Sequence, residues 1–157
     1  GGEDLVWYAS PGTDWVWRYD SARPLGRGDL TVQGEYLYRR KDLRPMATDV
    51  APVVPVPQIS SQDGLYVQAV YGIASRWTLA GRVDVIGITN RVETGDLETE
   101  YGSSRRYSAA LTFNPTEFSR VRVQYNAGRF RSHGTATFHQ VFVQFQMSLG
   151  MHGAHRF

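Results

Sequence analysis

Apolar and polar residues alternate with a period of two over most of this chain, the signature of strands with one face in oil and the other in water. Near the C-terminus, Val141, Val143, Phe145, Met147 and Leu149 fall on one face of an extended segment. Gln140, Gln144, Gln146 and Ser148 fall on the other. Upstream, Trp15, Trp17 and Tyr19 alternate with Asp14, Arg18 and Asp20, and Leu30, Val32, Gly34, Tyr36 and Tyr38 with Thr31, Gln33, Glu35 and Arg39. Leu65, Val67, Ala69, Tyr71 and Ile73 oppose Tyr66, Gln68 and Gly72; Trp77, Leu79, Gly81, Val83 and Val85 oppose Thr78, Arg82 and Asp84. Tyr107, Ala109, Leu111 and Phe113 oppose Arg106, Ser108 and Thr112, and Val121, Val123 and Tyr125 oppose Arg120, Arg122, Gln124 and Asn126. The pattern predicts seven strands, with a short eighth over residues 4–9.

Connections between these strands alternate in length. Those at 74–76 and 114–118 are tight, whereas 42–63 and 91–104 are long and rich in Pro, Asp, Glu, Thr or Gly. Barrels of the outer membrane have short turns on the periplasmic side and long loops outside. A periplasmic C-terminus makes both tight turns periplasmic and both long connections extracellular. Trp77 and Tyr71 flank one tight turn and Phe113 and Phe118 the other, while Tyr36, Tyr38, Tyr107 and Tyr125 lie toward the opposite strand ends, the placement of two interfacial aromatic girdles. The expected fold is all-β, an antiparallel up-and-down transmembrane β-barrel, one domain over residues 1–157 that forms the C-terminal portion of a larger barrel. A strand ending on Phe157, in phase with Leu149 and Met151, is a candidate assembly signal, so membrane lipid and the barrel-assembly machinery are expected partners.

Composition narrows the class. No run approaches the roughly 18 consecutive apolar residues of a spanning helix, so passage through a bilayer has to be made by strands. Cysteine is absent, which removes disulfides and thiolate metal sites. The chain opens Gly1-Gly2-Glu3-Asp4 with no basic, apolar-cored leader; an exported barrel needs one, so a processed chain or a piece of a longer one is expected. Lys41 is the lone lysine among 17 basic residues. The arginines are spread along the chain rather than gathered on one face with stacking aromatics, so a nucleic-acid partner is not expected.

Four segments, 30–39, 66–71, 114–125 and 150–157, carry a resemblance. The Pro-Thr-Glu-Phe-Ser-Arg turn at 115–120 and the Gly-Met-His-Gly-Ala-His-Arg-Phe ending at 150–157 are its most specific pieces. Together they resemble the C-terminal part of a proteobacterial outer-membrane barrel family whose members are described as TonB-dependent receptor-like or zinc-regulated outer-membrane receptor proteins. The resemblance implies an outer-membrane location and a transport role. The residues ahead of the strands in this segment are too few to hold a plug domain or an energy-coupling box, so active uptake is not expected from this segment by itself, and Gly153 and His155 stand where most assembly signals carry apolar side chains.

Chemistry concentrates on the water-facing set: Glu35, Arg39, Arg82, Asp84, Arg120, Arg122, Gln124, Gln144 and Gln146. In a narrow barrel these charges must pair across strands, because an unpaired charge in a filled interior is costly; in a wide one they line water and select solutes. His152 and His155 are candidate zinc ligands, although three positions apart on a strand they point to opposite faces unless the chain bends at Gly153. No other cofactor is expected. No nucleophile elbow, His-Glu-x-x-His or phosphate loop is present, so an enzyme is not expected. The proline-rich 44–63 stretch is the candidate gate. The expected function is porin- or receptor-like passage of a small solute. The alternatives are a closed eight-stranded barrel with a structural or adhesive role, and a soluble lipocalin-like cup with the apolar face turned inward.

Overall fold

A computed structural model describes residues 3–45, 56–131 and 134–148. The described chain is all-β and antiparallel: β1 (Glu3–Ala9), β2 (Gly12–Tyr19), β3 (Leu30–Pro45), β4 (Gln58–Ala74), β5 (Trp77–Thr94), β6 (Leu97–Glu100), β7 (Ser104–Thr116), β8 (Ser119–Arg131) and β9 (Thr135–Met147), with one 3-10 turn at Pro24–Gly26. They form one sheet in the order β1-β3-β4-β5-β7-β8-β9, with β2 also on β3 and β6 also on β5. The path is up-and-down and barrel-like but not closed: among the described residues β9 does not pair with β1 or β2.

The expected eighth strand exists, but it adds no width to the sheet. β1 pairs with the C-terminal part of β3 (Ala9↔Arg40) and β2 with its N-terminal part (Gly12↔Leu37), so the two run end to end along one edge. The break falls at Ser10-Pro11, where an edge position accommodates a residue with no N–H to donate. β6 and β7 divide the length of β5 in the same way, at Arg91–Thr94 and Trp77–Ile86. Seven columns of strand result.

The long connections are shorter than expected. β3 continues to Pro45 and β4 begins at Gln58, with Leu43 opposite Gln58, so residues 42–45 and 58–63 of the loop expected over 42–63 are strand. Within 91–104, β5 runs to Thr94 and turns into β6. The physical reason is a change of side-chain polarity without a change of backbone. Beyond Tyr38 the face that carried apolar residues carries Arg40 and Asp42, 3.4 Å apart, and on β5 it carries Arg91, which reaches Glu93 at 3.3 Å and Glu98 of β6 at 3.4 Å. The ladder continues while the hydrophobic signal stops. Loop parity is also looser than expected: 20–29, at the tight-turn end, is a ten-position connection closed by Gly28 N–H to Gly72 O (2.7 Å) and Arg76 N–H to Leu25 O (3.1 Å).

One bulge governs the passage from apolar band to charged extension. The β4–β5 register jumps between Gln62↔Asn90 and Gly64↔Ile86, so residues 87–89 stand opposite Asp63 alone. Gly87, at φ +79°, makes the bend, and a Cβ there would lie 2.8 Å from that of Asn90. Asp63, 6% exposed, holds the bulge by accepting from the Thr89 N–H at 2.9 Å and the Tyr36 hydroxyl at 3.3 Å. We predict that Asp63→Ala, which strands both donors, lowers unfolding free energy by about 1–3 kcal/mol, read from denaturant unfolding in detergent followed by tryptophan emission. A loss no larger than that of Asp63→Asn would show that the carboxylate does not hold the bulge.

Candidate functional site

Residues directly opposite one another in an antiparallel ladder share a face, so the register sorts every side chain of the sheet. One face stacks Trp77–Phe113–Val121–Phe145, Tyr71–Leu79–Leu111–Val123–Val143 and Val67–Val83–Tyr107–Ala127 across successive strands. The other stacks Glu35–Tyr66–Asp84–Arg106, Gln33–Gln68–Arg82–Ser108–Asn126–Gln140, Thr78–Thr112–Arg122–Gln144 and Arg120–Gln146. All nine candidate polar residues, from Glu35 to Gln146, fall on this second face.

Burial is inverted relative to a water-soluble domain. No apolar side chain is buried among the described residues; the buried side chains are Ser61, Asp63, Thr112 and Asn126. Along β5 the apolar residues Leu79 and Val83 are 49% and 41% exposed, while Thr78, Ala80, Arg82 and Asp84 between them are half-covered. A flat sheet would cover both faces equally, so the sheet curves with its polar face on the concave side.

The concave face is internally bonded. Arg82 donates to Asp84 Oδ1 through Nε (2.9 Å) and Nη2 (2.7 Å), and Arg106 Nε donates to Asp84 Oδ2 at 3.1 Å, so one carboxylate, its side chain 13% exposed, serves two guanidiniums. The Arg82 guanidinium also lies 3.8 Å from the centre of the Tyr66 ring, a cation–π contact. Toward the tight-turn end, Arg122 donates to the Thr112 hydroxyl (3.2 Å), Arg120 to Asn114 (3.2 Å), and Gln124 to Asn126 (2.8 Å). Toward the other end, Arg39 bonds Gln62, which donates to Asn90 at 3.4 Å. Glu35 sits at the register position next to Asp14 and Tyr66, and Gln144 and Gln146 lie exposed on β9.

Seven members of this network, Tyr66, Arg106, Thr112, Asn126, Gln62, Asn90 and Asn114, are not among the nine candidates read from the sequence. Arg106, Tyr66 and Thr112 had been placed in the polar phase but not singled out, since only register shows that Arg106 faces Asp84 and that Tyr66 underlies Arg82. The candidate assembly and zinc residues, Leu149, Met151, His152, His155 and Phe157, lie outside the described residues, as do residues 46–55 of the candidate gate, whereas its residues 44–45 and 58–63 belong to β3 and β4. Among the described residues no group of three or more His, Asp or Glu is arranged to hold a metal ion.

The convex face carries aromatics at both borders. Trp77 stacks on Phe113 with ring centres 4.5 Å apart at the tight-turn end, and Tyr125 bonds His139 Nδ1 at 2.6 Å on the outer half. On β2, Trp15 lies over Gly34, where a Cβ would come within 2.8 Å of the indole. We predict that Asp84→Ala, which leaves Arg82 and Arg106 without their carboxylate, costs about 1–3 kcal/mol and that Asp84→Asn costs less, both measured by denaturant unfolding. Equal behaviour of Asp84→Ala and wild type would show that the triad is not structural.

The chain is 32% identical over 131 residues to a protein of Aquifex aeolicus (strain VF5) described as an uncharacterized protein; the matched stretch is 82% of this chain and 27% of the relative. The chain thus spans about 27% of that relative's length. No family model and no solved structure matches the chain.

Proposed function

We propose that this chain forms part of an outer-membrane β-barrel that admits small solutes, its convex apolar face against lipid and its concave polar face toward water. The observation that carries this reading is the inverted burial: exposed Leu, Val and Phe on one side, and a hydrogen-bonded Arg, Asp, Thr and Asn wall on the other. A soluble cup around an apolar ligand needs the opposite arrangement. The part of β5 whose outward face is free of charged and polar side chains, Trp77 to Val85, covers about nine residues, the length at which a tilted strand crosses a hydrocarbon layer.

The concave wall sets what passes. Arg18, Arg39, Arg82, Arg106, Arg120 and Arg122 face Asp14, Glu35 and Asp84 on it, an excess of positive charge that favours anionic over cationic solutes. The resemblance to TonB-dependent receptor-like proteins agrees with a transport role, and the small share of the Aquifex protein that this chain matches leaves room for further strands in the whole molecule.

Two substitutions one residue apart test the reading. Val123→Arg places a charge on the lipid side and should cost about 2–4 kcal/mol of folding free energy in lipid bilayers; Gln124→Arg, on the water side, should cost little. Equal costs, or a protein that stays monomeric and soluble without detergent, would overturn the membrane assignment.

A further inference from the structure

Resting on the membrane reading, we infer that the convex face carries, just above its apolar band at the long-loop end, a binding site for the phosphate headgroup of a membrane lipid. Arg105 of β7 stands directly opposite Arg129 of β8, both in the outward phase set by the pairs Val85↔Arg105 and Tyr107↔Ala127. Arg131 follows two residues on in the same phase, its guanidinium folded against Gly102, where a Cβ would lie 2.7 Å from Nη1. Its backbone is tied to the start of β7, with Arg131 N–H donating to Ser104 Oγ at 2.9 Å.

Three like charges gathered on neighbouring strands repel one another, and a directly opposed pair is destabilising unless a counter-ion joins it. Two other outward arginines have carboxylates: Arg40 has Asp42, and Arg91 has Glu93 and Glu98. No carboxylate among the described residues comes within 4.0 Å of Arg105, Arg129 or Arg131. The three border a recess of about 520 Å³, with Thr137 beside Arg129 and with Tyr107 and His139 one row toward the apolar band.

Depth identifies the occupant. Tyr107 and Tyr125 lie one and two rows toward the apolar band, the level at which amphipathic rings settle between acyl chains and headgroups. The next row outward is where lipid phosphates lie, and the arginine fork matches a phosphate through two parallel N–H···O bonds. A lipid supplies the phosphate already anchored at that height, and its acyl chains continue down Val123, Val141 and Val143. A free anion gains nothing from that continuity.

The test is flotation of the whole chain with phosphatidylcholine vesicles, with and without phosphatidic acid. Wild type should float with both and bind the phosphatidic acid vesicles about tenfold or more tightly. The triple variant R105Q/R129Q/R131Q should float equally well but without the preference, while R40Q/R91Q keeps it. Wild type failing to float with either vesicle overturns the membrane reading and the site with it. Flotation without preference, or a preference surviving in the triple variant, overturns the site alone. Millimolar inorganic phosphate should leave the preference intact; competition by it would replace the lipid with a soluble anion. Unchanged circular dichroism of the triple variant separates lost binding from lost fold.

Discussion

Backbone hydrogen bonding between long antiparallel strands is the interaction on which this molecule depends. A globular domain hides its apolar side chains to offset the conformational entropy of folding, yet among the described residues no apolar side chain is buried. What holds β3, β4 and β5 together is a ladder over 16, 17 and 18 residues. In water such a ladder gains little, because the unfolded chain bonds equally well to solvent. In hydrocarbon an unmade backbone bond costs several kcal/mol. That asymmetry is what favours the proposed membrane reading, in which lipid supplies the apolar environment that the described residues do not build for themselves.

The concave face obeys the complementary rule. Partly withdrawn from water, its charges need partners, and Asp84 satisfies two arginines while Tyr66 offers a π-face to one of them. Outward charges begin only past the apolar band. The Asp63 bulge marks that border, since below it β5 pairs with β7 and above it with β6. A single buried carboxylate thus stands where the sheet changes both its neighbour and its surroundings.

Much of this could be read from residue order. Alternation at Trp77–Val85 or Val121–Tyr125 reports directly which side chains share a face, because a strand's side chains have no other geometry to adopt. The polar candidates from Glu35 to Gln146 sort correctly for that reason. Residues 42–45, 58–63 and 87–94 do not, since the phase that was apolar there carries Asp42, Arg91 and Glu93, and a strand polar on both faces reads as a loop. β1 is visible as a strand but not as the continuation of β2, and Arg106 is visible as polar but not as the partner of Asp84. Both facts belong to register, which depends on pairing between segments distant in sequence.

The outer margin of β9 bears a consequence of its own. From Thr135 to Met147 one side of this strand is bonded to β8, and its other side offers a row of amide donors and acceptors with no neighbour among the described residues. Flanked by Val141, Val143 and Phe145, that row is a template able to capture any extended chain that drifts against it. On the proposed membrane reading, such a margin has to be covered soon after synthesis, so that escorted delivery, rather than spontaneous folding in the aqueous compartment, becomes the condition for survival.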